Sequence, residues 1–294
     1  MEGFESEFID TDSARIFVRS SGTGPPLLLL HGFPQTHLMW REIAPVLARH
    51  FHVVCADLRG YGQSSCPPSD AEHAPYSKRA MAHDMVAVMR TIGHASFAVA
   101  GHDRGGRVAY RLALDHPRTV TRLAVLDIVP TASAWARADA KFALAFWPWS
   151  LLAQDPPLPE TLIASAPGAL VDHALNAWGS SAQTFPAETR DAYIAALRDP
   201  EHARAICEEY RAAATLDWEH DLADRARGHK IRCPLLALWS AGGAVDSWYS
   251  ADGGPLALWR EYAEDVQGEP VDGGHFFPEQ NPVHTAELLR RFFA

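Results

Sequence analysis

Two kinds of apolar pattern alternate along the chain. The first twenty residues place Phe4 and Phe8, then Ile16 and Val18, at even spacing on either side of the polar stretch Asp10–Ser13. That pattern predicts a β-hairpin. PPLLLLHGFP follows, a continuous apolar run stopped by Gly32 and Pro34, which predicts a strand buried on both faces. Similar runs recur at Val53–Leu58, Phe97–Ala100, Leu123–Ile128 and Leu235–Trp239. Helical patterns lie among them at Met39–Ala48, Met81–Ile92 and Arg104–Asp115. Buried strands alternating with amphipathic helices predict an α/β fold, a mostly parallel sheet with helices on both faces.

The alternation stops after Asp127-Ile128-Val129-Pro130. From Thr131 to Arg227 the chain is helical in pattern and rich in Ala, Trp and Pro, and strand-like text resumes at Cys233. The economical reading is a core of residues 1–130 and 228–294, with residues 131–227 inserted between two strands as a helical cap over the strand ends. The prolines at Pro156–Pro159 read as a bend inside that cap.

Composition narrows the function classes. Lys+Arg number 26 against Asp+Glu 36, for a net charge of -10, and 47% of residues are hydrophobic. This is a globular composition, and its acidic balance argues against nucleic-acid or anionic-membrane partners. An anionic ligand would need a local cluster of positive groups. The acidic N-terminus lacks the pattern of a signal peptide, and no apolar run approaches the roughly 20 residues that span a bilayer. Cys55, Cys66, Cys207 and Cys233 have neither CxxC nor metal-ligand spacing. The expectation is a reduced cytoplasmic protein without metal or other cofactor.

The most informative stretch runs from the strand at Phe97 into Gly101-His102-Asp103-Arg104-Gly105 and then a helix. Small residues two before and two after a central residue suit a sharp strand–turn–helix, the G-x-S-x-G nucleophile elbow, here with Asp103 in the serine position. A carboxylate that displaces a leaving group from saturated carbon forms an alkyl ester that water can hydrolyse, whereas serine would leave an inert ether. Asp103 therefore points to carbon–halogen cleavage or epoxide opening. On its own it could equally be an N-cap of the helix, so its partners decide.

His275, in Asp272-Gly-Gly-His275, follows a strand-like segment and precedes the last helix, where it could reach an elbow nucleophile and activate water. Two carboxylates could orient it. Asp127 ends the run at Leu123 and is favoured, while Asp246 lies in a loop beyond Gly242-Gly243. His31-Gly32-Phe33-Pro34 is placed like an oxyanion loop, with the backbone N–H groups of Phe33 and Arg104 as donors. Arg104 and Arg107 are three apart in the first turn after Asp103 and share a face. Together with the helix N-terminus they form a candidate carboxylate site that would also hold Asp103 ionised.

With these residues assembled, the chain resembles the α/β-hydrolase superfamily and, within it, the haloacetate (fluoroacetate) dehalogenases. HGFPQTHLMW, ADLRGYGQSS, GHDRGGRVAYRLALDHP and LDIVP carry the likeness, with GHDRGGR its most specific segment. The resemblance implies Asp103 as nucleophile, His275 as base, Asp127 as its partner, and Arg104 and Arg107 as a clamp on a small anionic substrate. It also implies a halide pocket that includes Trp149, Tyr210 and Trp178, and often a homodimer. The departure is Pro148, which stands where the family has a histidine and supplies no donor. The implied reaction is dehalogenation of a small 2-haloacid, chloroacetate or bromoacetate before fluoroacetate. The alternative is hydrolysis of an epoxy-acid, for which Tyr210 needs a second tyrosine and Tyr193 is the candidate.

Overall fold

The computed structural model describes residues 1–294 with the exception of Ala182. β1 (Glu5–Asp10) and β2 (Arg15–Ser21) form the expected hairpin, and β2 pairs antiparallel with β4 (His52–Ala56). The rest of the sheet is parallel: β3 (Pro26–Leu30), β5 (Phe97–His102), β6 (Val120–Leu126), β7 (Leu235–Ser240) and β8 (Val266–Val271). Among the described residues the strand order is β1-β2-β4-β3-β5-β6-β7-β8.

The continuous apolar runs have a direct cause. Side chains alternate across a strand, so a strand covered on both sides needs apolar residues at every position. In β3, Leu28 and Leu30 join one hydrophobic core while Leu27 and Leu29 join the other. Val54 and Ala56 of β4 likewise face away from Val53 and Cys55.

The pattern at Met39–Ala48 is not one helix. A short 3-10 turn, His37–Trp40, precedes a four-residue helix, Ala44–Leu47. Pro45 explains the break, because its ring would clash with the carbonyl four residues earlier in a continuous helix. The other two helices run Lys78–Thr91 and Asp103–Asp115.

Between β6 and β7 the chain forms successive helices from Thr131 to Ala226, with the Pro156–Pro159 cluster at the start of one of them. The last, Leu216–Ala226, carries Asp217, Asp221 and Asp224, four and then three residues apart and so on one face. These acids meet the core's buried cations. Lys78 lies 3.2 Å from Asp217, while Arg111 lies 2.8 Å from Asp221 and 2.5 Å from Asp224. Removing one member of such a buried pair typically costs about 3–5 kcal/mol, so these contacts hold the insertion in register with the sheet. Among the described residues, no helix is long and apolar enough to cross a membrane.

The helix Asp103–Asp115 follows β5 without a loop and packs against β3. A Cβ on Gly105 would lie 2.3 Å from the His31 carbonyl oxygen, closer than atoms can approach. Gly105→Ala is therefore expected to lower stability by about 1–3 kcal/mol or more through overpacking, as read by urea unfolding. An unchanged midpoint would contradict this close approach.

Candidate active site

Asp103 opens its helix with φ of +46°, in the left-handed region that non-glycine residues rarely occupy. His102 is the N-cap residue and makes no capping bond, so the acid at the elbow is not acting as a cap. The Asp103 carboxylate turns back instead, and its Oδ2 accepts the Phe33 N–H at 3.0 Å. Glycine at position 32 makes room for it, since a Cβ there would lie 2.5 Å from the Asp103 Cβ.

His275 Nδ1 lies 2.6 Å from Asp127 Oδ2, and the other oxygen of Asp127 accepts the Ser240 N–H at 2.8 Å. Asp127 has φ of +53°, a second left-handed residue at a strand end. Asp246 is elsewhere. Its oxygens accept from the Trp239 indole at 2.9 Å and from the Gly242 N–H at 2.9 Å. Of the two acids considered for His275, Asp127 is the one in contact.

The electrostatics follow from this packing. Burial is the largest single influence on Asp103 and pushes its pKa up. The charges of His275, Arg104 and Arg107 outweigh it, so the carboxyl lies below its usual range. Burial likewise pushes His275 down, but the hydrogen bond and charge of Asp127 and the charge of Asp103 leave it above the ordinary value.

The two arginines are held differently. Arg104 Nε donates to Glu209 Oε1 at 2.8 Å, Nη2 donates to the same oxygen at 2.5 Å, and the Lys78 ammonium contacts that carboxylate too. Arg107 Nη1 donates to the Val129 carbonyl and to Thr131 Oγ1, both at 3.1 Å. Each arginine nonetheless keeps a buried N–H without a protein acceptor among the described residues, Nη1 of Arg104 and Nε of Arg107. Aromatic faces cover both cations. Arg104 sits 4.1 Å from the Tyr210 ring centre and Arg107 4.4 Å from that of Trp149.

Asp103, His275, Trp149, Tyr210, Trp178 and Pro148 line one small cavity. A neighbouring small cavity is walled by Arg107, Asp127, Trp149 and Tyr249. Phe146 lines both and also a larger third cavity beside Trp178 and His275, so its ring stands where the three adjoin. Trp178 presents its ring to His275, with centroids 5.2 Å apart, but its indole N–H donates to the Ala145 carbonyl at 2.7 Å. Tyr193 is not a wall of either small cavity; its hydroxyl donates to Glu279 at 3.2 Å.

Three residues here escape a reading of the sequence. Glu209 meets Arg104 across a separation of 105 residues, with no spacing to signal it. Tyr249 lies in a segment without a motif. Phe146, at the junction of the short helices Ala140–Ala145 and Trp147–Leu151, reads as ordinary aromatic packing.

Comparison with known proteins identifies the family. Residues 25–282 match the α/β hydrolase fold family. Over 294 residues the chain is 42% identical to a fluoroacetate dehalogenase of Burkholderia sp, covering 100% of this chain and 95% of that one. It is 32% identical over 290 residues to a soluble epoxide hydrolase of Corynebacterium sp. (strain C12), covering 95% of this chain and 94% of that one. An α/β hydrolase structure from Nostoc sp PCC 7120 superposes with a TM-score of 0.93 at 47% identity, covering 98% of this chain and 97% of that one. The chain belongs to the α/β hydrolase fold family, and within it is a dehalogenase-like hydrolase.

The charge pattern is testable without substrate. His275 is expected to titrate above the ordinary histidine value by NMR, and both Asp127→Asn and Asp103→Asn should move it down. A wild-type His275 that titrates below free histidine would contradict the arrangement.

Proposed function

We propose that this protein hydrolyses a small 2-halocarboxylate to the 2-hydroxy acid through an ester on Asp103. The observation that carries the reading is the pair of buried, unpartnered guanidinium N–H groups beside an ionised elbow carboxylate. Donors of this kind are costly to bury unless a ligand accepts from them. A substrate carboxylate held by Arg104 Nη1 and Arg107 Nε brings its adjacent carbon to the Asp103 oxygen. The carboxylate attacks that carbon in line, the carbon–halogen bond breaks, and halide leaves toward the indole and phenol donors of Trp149 and Tyr210.

Water then completes the cycle. His275 takes its proton, Asp127 steadies the resulting imidazolium, and hydroxide adds to the Asp103 ester carbonyl. The Phe33 N–H, already 3.0 Å from Oδ2, together with the Arg104 N–H holds the developing oxyanion. Collapse passes the imidazolium proton to the departing alkoxide and releases the hydroxy acid, and Asp103 returns to its carboxylate as the added hydroxyl's proton passes to solvent. Esterification also removes the negative charge of Asp103, one of the influences that raise His275. His275 is thereby freed as a base when the second step needs it.

Pro148 lines the cavity and brings no donor to the leaving group. Fluoride depends on such donors most, so C–F cleavage should trail C–Cl and C–Br cleavage by about 10²–10³ in rate. The epoxy-acid alternative is less well supported, because Tyr193, its candidate second tyrosine, is committed to Glu279.

Halide release from bromoacetate, chloroacetate and fluoroacetate tests the reading. Release of bromide and chloride should be abolished by Asp103→Asn, with fluoride the slowest. No halide from any of the three, beside turnover of an epoxy-acid, would replace the proposal with its alternative.

A further inference from the structure

Behind His275 lies a buried polar chain that uses neither substrate nor triad oxygen. His102 Nε2 is 2.8 Å from the His275 carbonyl oxygen, and His102 Nδ1 is 3.1 Å from Oε1 of Gln35. The far end of that amide, Nε2, is 2.5 Å from Glu279 Oε2. Glu279 Oε1 meets the Arg41 guanidinium and the Tyr193 hydroxyl. His102, Gln35 and Glu279 are all buried, so each contact needs its hydrogen from within the chain.

Counting hydrogens shows that the usual protonation states fall one short. Three contacts link the His275 carbonyl, His102, Gln35 and Glu279. A neutral imidazole supplies one hydrogen, and the amide supplies one across either of its two contacts. With an ionised Glu279, one contact sets acceptor against acceptor whichever way the amide is turned. With Gln35 Nε2 toward Glu279, His102 faces two acceptors and must be an imidazolium. After a half-turn of the amide, His102 can be neutral and Glu279 must carry a proton.

We propose that this chain holds one additional proton on the Glu279 carboxyl, and that Glu279 is thereby a positioning residue for His275. With the amide half-turned, its oxygen faces Glu279 Oε2, and an O–H on that carboxyl completes the contact. Arg41 and Tyr193 both meet the other oxygen, which leaves Oε2 to hold the hydrogen. An imidazolium at His102 would lie with its ring centre 4.6 Å from that of His275. The charges facing His102 are those of His275, Asp103 and Asp127, and burial dominates them and holds it down at about 4. Burial pushes Glu279 up against the opposing pull of Arg41, Gln35 and Tyr193. Neutral His102 then donates Nε2–H to the His275 carbonyl and fixes the loop that carries the base. Loss of the Glu279 proton at higher pH would leave one contact without hydrogen and loosen that anchor.

Infrared difference spectra of wild type and Glu279→Gln test this directly. The wild type should show the carbonyl stretch of a neutral carboxylic acid at neutral pH, missing in the variant. Loss of an ionised-carboxylate band instead would overturn the proposal. Nitrogen NMR of wild-type His102 should report a neutral ring bearing its hydrogen on Nε2, and an imidazolium would equally overturn it. Both readouts are independent of substrate, so they can fail without touching the dehalogenase reading. In turnover of bromoacetate, Glu279→Gln supplies the missing hydrogen through its own amide. It should stay within about twofold of wild type with a flatter high-pH limb, while Glu279→Ala falls about tenfold or more. Equal losses in the two variants would assign an ionised Glu279 paired with Arg41 and refute the inference.

Discussion

The site depends on keeping Asp103 ionised although it is buried. Burial alone would neutralise such a carboxyl, since the charged form loses its hydration. The fold counters this with the Phe33 N–H, two arginines in the first helical turn, and His275 held by Asp127. The backbone meets the same demand. Asp103 accepts a left-handed conformation, and Gly32 and Gly105 let neighbouring strands close around it. In the proposed displacement, a buried carboxylate that keeps its charge is well suited to attack saturated carbon.

That concentration of cations needs an opposing charge when no substrate is bound. Glu209 provides it from the inserted helices, pairing with Arg104 and Lys78, while Asp217, Asp221 and Asp224 bind Lys78 and Arg111. The contacts that dock the insertion therefore also set how much of each guanidinium remains for a ligand. Arg104 Nη1 and Arg107 Nε are left without an acceptor, a donor nitrogen for each oxygen of one carboxylate.

Much of this was legible in the residues themselves. The strands could be read because two-sided burial writes a continuous apolar run, as in Leu27–Leu30, and the elbow because tight turns demand small residues around Asp103. His275 and Asp127 followed from the positions of strand ends. Other features depend on three-dimensional placement. The helix anticipated at Met39–Ala48 divides at Pro45, a local signal that periodicity overrides. No spacing marks Glu209 as the partner of Arg104, and nothing in its neighbours shows that the Trp178 indole N–H is taken by a carbonyl. The Tyr193 hydroxyl, considered for the cavity, belongs to the buried cluster at Glu279.

The covalent ester on Asp103 is the centre of the account, and trapping it is the most direct test. In His275→Asn the first displacement should proceed while hydrolysis stalls. Incubation with bromoacetate should then add one carboxymethyl group to the intact mass, located on the peptide that contains Asp103 and absent when Asp103→Asn is combined with it. An unmodified His275→Asn protein that still releases bromide, or an adduct on any other residue, would contradict the mechanism.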